Sequence, residues 1–305
     1  MRRPATLLML ITATLRTAAA ADQPDLEGYR VGTLADPAIS ESSGLVCPGG
    51  SIDSFWTHND ADNEPLLFQL RPSGEVVARI SMDQVGNRDW EDISVLHSGS
   101  NSQLVLADIG DNNALRSHVR LHVLNVMNDS DSTAIEVASS YRIRYPDGPR
   151  DSESVAVDSQ TRSAWILSKR TIPAELYTVS LEPSDDEIVT ATYVGDLSSL
   201  PQPTAEDIAL APEREDWFWQ PTAMDFSTDG RRAAVLTYEG IYLYDRRPED
   251  SWADAFARSP QRFGLGKGWE AEALCLTDEA VYWTTEGRES GLYRIPLIDP
   301  RWAAL

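Results

Sequence analysis

The chain has 305 residues, with 26 Lys+Arg against 48 Asp+Glu, a formal charge of −22 and a pI near 4.4. So acidic a chain is a poor match for nucleic acid or an anionic membrane surface and points to cationic partners instead. Its 42% hydrophobic content and nine tryptophans supply a sizeable core, which excludes disorder as the reason for the charge.

Arg2 and Arg3 precede an apolar run from Leu7 to Leu15, and Ala18 to Ala21 lead into Asp22-Gln23-Pro24. This is the layout of a secretory signal peptide over 1–21, cleaved near Ala20 or Ala21. Processing there removes three arginines and no acids, leaving 23 basic residues, 48 acids and a charge of −25. No later segment approaches the roughly 18 apolar residues of a membrane helix, and no Cys follows the small-residue site to carry a lipid. The expectation is a soluble monomer exported to the periplasm or medium, with 22–305 as a single domain. Cys47 and Cys275 are too few for a disulfide scaffold or a thiolate metal site. They read either as two small buried residues on separate strands or as one long-range bridge.

Short β-rich runs punctuated by Gly, Pro, Asn and Asp fill the rest of the chain, and long amphipathic helical patterns are absent. A repeat emerges on aligning Glu41-Ser-Ser-Gly-Leu45, Glu91-Asp-Ile-Ser-Val95, Glu153-Ser-Val-Ala-Val157, Thr222-Ala-Met-Asp-Phe226 and Glu272-Ala-Leu-Cys-Leu276. Second β runs follow at Ser54 to His58, Gln103 to Asp108, Ala164 to Lys169, Ala233 to Tyr238 and Val281 to Thr285. Third runs begin at Leu67, Leu121, Leu176, Ile241 and Leu292, and fourth strands at Val76, Ser140, Val189 and before Gly264. Four antiparallel strands repeated about every 50 residues make a propeller blade, so the chain reads as an all-β, five-bladed β-propeller. The last unit has no room for its fourth strand, and Tyr29 to Leu34 is a spare strand that could close it and remove an open edge. Six blades is the alternative, because Glu206-Asp-Ile-Ala-Leu210 mimics a repeat start. Only eleven residues separate Leu210 from Thr222, however, too few for three strands, so this insertion reads as a loop with a short helix. The acids Asp185-Asp186-Glu187 and Glu213 to Asp216 read as solvated loop faces.

In such a blade the innermost strand starts at the face where the second strand ends. That face gathers Glu41, Asp89, Glu91, Asp151, Glu153, Glu270 and Glu272 with His58-Asn59-Asp60, Asp108, Asp111-Asn112, Lys169-Arg170, Thr237-Tyr238 and Thr285-Glu286. Glu41, Glu91, Glu153 and Glu272, aligned around one channel, would repel one another unless protonated or bound to a cation. Oxygen-only ligands favour Ca²⁺ as cofactor, with Mg²⁺ or Mn²⁺ as alternatives; otherwise these acids line a water-filled channel. Asp108-Ile-Gly-Asp-Asn112 is a Gly-containing turn whose oxygens either bind metal or close the turn by Asx hydrogen bonds. His58 is the one histidine of four that the repeat places at this face, the candidate general acid or base beside Asp108. Lys169, one of two lysines, and Arg170 either receive an anionic group of a substrate or pair with Glu153 and Asp151. No G-x-S-x-G, P-loop, G-x-G-x-x-G or H-E-x-x-H pattern occurs, which disfavours covalent serine hydrolysis and nucleotide binding.

Glu41-Ser-Ser-Gly-Leu45 with Trp56-Thr-His-Asn-Asp60, Asp89-Trp-Glu-Asp92, Asp108-Ile-Gly-Asp-Asn112, Asp151-Ser-Glu153 and Glu286-Gly287 together resemble a group of secreted bacterial β-propeller proteins. More distantly, the acidic ring is similar to that of phytase-like and lactonase or phosphotriesterase-like propellers, which use calcium in the central channel. The resemblance implies a metal-dependent hydrolase of a phosphoester, ester or lactone. The alternative is a non-catalytic binding propeller whose funnel holds a structural ion or a cationic ligand.

Overall fold

A computed structural model describes residues 26–48, 53–98, 101–129, 132–182, 187–210, 219–265 and 270–304. The expected signal peptide, 1–21, and Asp185, Asp186, Glu213 to Asp216 and Lys267 lie outside them. The sheets form five blades, as the repeat requires. Blade 1 runs Ser42–Val46, Phe55–Asn59, Leu66–Leu70 and Val76–Ser81. Blade 2 is Trp90–Ser98, Asn101–Asp108, Val119–Asp129 and Ser132–Arg144. Blade 3 is Ser152–Asp158, Ser163–Ser168, Glu175–Ser180 and Thr192–Asp196. Blade 4 is Pro221–Phe226, Arg232–Thr237, Gly240–Asp245 and Gln261–Gly264, and blade 5 is Ala271–Leu276, Ala280–Thr285 and Gly291–Pro296.

The fourth strand of blade 5 comes from the other end of the chain. Arg30–Thr33 pairs antiparallel with Gly291–Pro296, so the last blade closes on the N-terminal segment. The fourth strand of blade 3 begins at Thr192 and not at Val189 as expected, and two short strands add to the outer edges of other blades. Val189–Thr190 joins the outer edge of blade 2 in parallel, and Ala303–Ala304 pairs with the outer strand of blade 4. The insertion after blade 3 carries the short helix Ala205–Leu210, with no sixth blade among the described residues. No helix among them is long and apolar enough to cross a membrane.

The inner strands are buried on both faces, and the outer strand Val76–Ser81 alternates between half-buried and exposed. Five hydrophobic clusters follow, each drawn chiefly from two neighbouring blades: Trp56 and Leu67 meet Ile93 and Leu104, for example, and Met224 and Phe226 meet Ala156 and Leu167. At the blade 5/1 seam, Leu45 and Phe55 pack with Ala273 and Tyr282, and Cys47 is disulfide-bonded to Cys275. Their Cα atoms lie 6.0 Å apart across 228 residues of sequence, because equivalent ends of neighbouring inner strands face each other there.

All five inner strands share one irregularity. Pairing with the second strand skips a residue between Ser42 and Gly44, Trp90 and Asp92, Ser152 and Ser154, Pro221 and Ala223, and Ala271 and Ala273. A bulge re-aims the skipped side chain, and the skipped residues are Ser43, Glu91, Glu153, Thr222 and Glu272.

Candidate functional site

The bulges define two tiers of side chains at one end of the ring. The five skipped residues form the inner tier and are all buried. Ser43 and Thr222 fill it with short hydroxyls that donate to the next blade, to Glu91 O and Ala271 O, both at 2.8 Å. Glu91, Glu153 and Glu272 fill it with carboxyls.

The outer tier lies two residues earlier, where backbone N–H groups of the second-strand ends reach back to the chain: Asp60 N to Glu41 O, Lys169 N to Asp151 O and Glu286 N to Glu270 O. Asp89 holds this place in blade 2, bonded by Gly110 N. This corrects the alignment by residue type. Glu41 belongs with Asp89, Asp151 and Glu270; it is exposed and accepts a 2.6 Å bond from Asn63 Nδ2, while Ser43 occupies the inner position of blade 1.

Lys169 stands over the inner tier. It is ion-paired with Glu153 and lies 3.4 Å from the Tyr238 hydroxyl, which donates to Glu272. Burial works against its ammonium, but Glu153, Glu272 and Tyr238 outweigh that and raise its pKa well above the usual lysine range. Arg170 Nε donates to Asp151 Oδ2 at 2.8 Å and its guanidinium also reaches Asn112. Both cations therefore take the ion-pair alternative.

The other two catalytic candidates sit elsewhere. His58 is fully buried between blades 1 and 2, edge-on to Trp90 at 5.7 Å, with Nδ1–H donating to Asn59 O at 3.0 Å. Burial pushes its pKa down to about 4, against the carbonyls of Asn59 and Asp92. A Cβ at Gly44 would run into this imidazole, which is why blade 1 has glycine there. Asp108 is buried against Arg116 at 2.8 Å. Its turn closes by Asx bonds, Asp111 accepting from Leu115 N and Arg116 N at 2.9 and 2.8 Å.

What the mouth does assemble is a group of carboxyls that the glutamate alignment alone did not single out. One oxygen each of Asp60, Asp89 and Glu91 lie within 4.8 Å of one another. Gly110 floors this group: a Cβ there would strike Glu91 Oε1 and stand 2.6 Å from Asp89 Oδ2, so only glycine leaves both carboxyls in place. Burial, then the neighbouring acids, push the pKa of Asp89 up to about 7 and that of Glu91 well above the usual range. Glu153, held back by Lys169, and Glu286 also rise to about 7, mainly through burial. Among the described residues, six carboxyls, with Asp60 and Glu272, thus face one ammonium.

Deeper along the ring, carboxylates tie the blades together. Asp92 Oδ1 accepts from Ile93 N, and its Oδ2 accepts from Val155 N of blade 3 and Met224 N of blade 4, at 2.8 and 3.3 Å. Asp225 likewise accepts from Phe226 N and, across the next seam, from Leu276 N, both at 2.9 Å. The adjacent acids in Glu91-Asp92 are the one sequence signal for this division, one side chain turned to the mouth and the next to the seams.

The raised acids make stability depend on pH. Between the ordinary carboxyl range and about 7, the folded protein holds protons on Asp89, Glu153, Glu286 and Asp225 that the unfolded chain has lost, so stability falls as pH rises. The buried histidines oppose this only below about pH 6.5, above which they are neutral in both states. With chelator present, the melting temperature should therefore drop by about 5 °C from pH 6.5 to 8. A flat or rising profile in thermal melts across that window contradicts the electrostatics described.

A scan against protein-family models finds no match, and a search of curated proteins finds none either. Among solved structures, the chain is similar to one in a crystal structure of a nidogen/laminin complex, at 12% identity and a TM-score of 0.42, covering 81% of this chain and 72% of that one. It is also similar to a luciferin-regenerating enzyme, at 9% identity and a TM-score of 0.43, covering 87% of this chain and 94% of that one. Likenesses this weak say nothing about chemistry. What stands is a five-bladed β-propeller with an acidic cluster at one end of its ring.

Proposed function

We propose that this propeller is exported and binds a divalent cation, Ca²⁺ before Mg²⁺ or Mn²⁺, between Asp60, Asp89 and Glu91, and that it hydrolyses an anionic ester, phosphoester or lactone there. The three converging carboxyls over Gly110 carry the reading. Hard oxygen donors suit these ions, and the neighbouring acids leave a charge excess that protons or a cation must neutralise. A bound ion would polarise a substrate oxygen or lower the pKa of a water. The chain's own part is to hold it against Gly110. Glu286, with its pKa raised to about 7, would hold and move a proton at the mouth, while Lys169, ion-paired with Glu153, would stay charged. Export accords with the disulfide, a bond of oxidising compartments.

One observation favours the non-catalytic alternative: Lys169 and Arg170 are engaged by Glu153 and Asp151, and His58 lies between blades. Calorimetry with Ca²⁺ on chelator-stripped protein separates the possibilities. One equivalent should bind the wild type, and Glu91→Gln should weaken it at least tenfold. Turnover on a panel of esters, phosphoesters and lactones, lost on chelation, establishes the hydrolase. Binding without turnover establishes the binding propeller, and no Ca²⁺ binding overturns both.

A further inference from the structure

On the same face as the mouth, but farther from the ring axis, a cavity of about 540 Å³ opens between blades 2 and 3. It is bounded by the turn entering the third strand of blade 2, the end of that blade's fourth strand, and the connection 145–150 into blade 3. We propose that this cavity binds a small molecule carrying an oxyanion head, phosphate or carboxylate, on an apolar body. Its volume is that of a small-molecule site.

In a chain of net charge −22, the wall of this cavity contains Arg116, His118, Arg144 and Arg150 and no Asp or Glu. Arg116 and Arg150 have their carboxylates, Asp108 and Glu175, outside the lining, and the cavity wall itself is basic. His118 has its pKa lowered by burial and then by Arg142, Arg120, Arg116 and Arg88, with no acid among the causes. Its Nδ1 meets the Ser117 hydroxyl at 3.1 Å, while its shielded Nε2 has no hydrogen-bond partner.

The three guanidinium groups are held differently. Arg116 is buried, with Asp108 and Gly110 O behind it at 2.8 and 2.7 Å. Arg150 is paired with Glu175 and lies over the rings of Tyr145 and Tyr177, at 5.5 and 4.9 Å from their centroids. Arg144 Nε donates only to Thr190 Oγ1, at 2.9 Å, and no carboxylate among the described residues pairs with it. Two guanidinium groups are thus fixed and a third is available, the pattern that receives an oxyanion. Ile143, Tyr145, Pro146 and Pro149 provide an apolar wall for the rest of the ligand.

The proposal does not depend on the cation reading, although Arg116 ties the two sites together: its guanidinium donates to Gly110 O, and Gly110 underlies Glu91 and Asp89. The test is calorimetric titration of phenyl phosphate and of benzoate into chelator-treated protein at low salt, with histidine NMR resonances followed in parallel. At least one probe should bind 1:1, shift the His118 ring signals and weaken as salt rises. Arg144→Glu, at an exposed position, should weaken it at least tenfold without changing the melting temperature, and Arg144→Gln should do so to a smaller degree. Glu91→Gln should bind the probe as the wild type does, which separates this site from the mouth. A phosphate preference identifies a dianionic head, and comparable binding of benzoate identifies a carboxylate. The proposal is overturned if neither probe binds, or if Arg144→Glu binds as tightly as wild type.

Discussion

Replacing Cys47 and Cys275 together by alanine lowers the unfolding free energy by about 4 kcal/mol. The bridge closes 228 residues of chain, for which unfolded-state entropy alone gives about 5 kcal/mol. Small rearrangements at two buried positions reduce the figure. The bridge also sits where the ring most needs it. Blade 5 is completed only by pairing of Arg30–Thr33 with Gly291–Pro296, and that noncovalent closure is the one place where the ring can open without breaking the chain. With the bridge intact, the inner strand of blade 5 stays tied to blade 1 even while the closing strand frays. Urea denaturation of oxidised, reduced and doubly substituted protein measures the effect. Hydrogen exchange should show Arg30–Thr33 and Gly291–Pro296 losing protection first on reduction. A change below about 1 kcal/mol would mean that the closing strand suffices by itself.

Asp92→Ala should cost a comparable amount, about 4 kcal/mol. Three backbone N–H groups from blades 2, 3 and 4 converge on this one carboxylate. Each is buried, and leaving a buried donor unpaired costs about 1–3 kcal/mol. Burial acts the other way, pushing the Asp92 pKa well up against the donors that lower it, so removal of the carboxyl recovers part of the loss. The donors outweigh that recovery because no other acceptor reaches Val155 N and Met224 N across two seams. Asp92→Asn keeps one acceptor oxygen and should lose about half as much. Equilibrium unfolding in urea checks the order wild type, then asparagine, then alanine. An alanine variant within 1 kcal/mol of wild type would show that water or backbone adjustment replaces the carboxylate.

These predictions concern features that differed in how openly the chain displayed them. The blades were legible because each strand is a short local run and the unit recurs: Leu67, Leu121, Leu176, Ile241 and Leu292 all fall within one or two residues of the start of a third strand. Closure by the N-terminal segment was legible for the same reason, since a missing strand and a spare one must complement each other. Lys169 beside Glu153 was one of two alternatives, and low dielectric at a buried position selects the pair.

The site itself was only partly legible. Glu91, Glu153 and Glu272 were found because they recur, whereas Glu41 recurs in type and not in register. His58 falls at the right strand end but on the face that packs against Trp90, and period-2 reasoning is blind to that once a bulge has shifted the count.

The sequence by itself thus determined an acidic, all-β ring of five blades closed by its own N-terminal strand, because local periodicity and repetition carry that information. Only the tertiary structure decided which acids meet. The shared bulge turns Ser43 inward and leaves Glu41 outside, Gly110 makes room for Glu91 beside Asp89, Cys47 finds Cys275, and basic residues from three segments gather around a cavity in an acidic chain. These depend on residues apart in the chain brought together by strand pairing within a blade or, for the disulfide, by packing between blades, and for the acids on a backbone irregularity that no residue type announces.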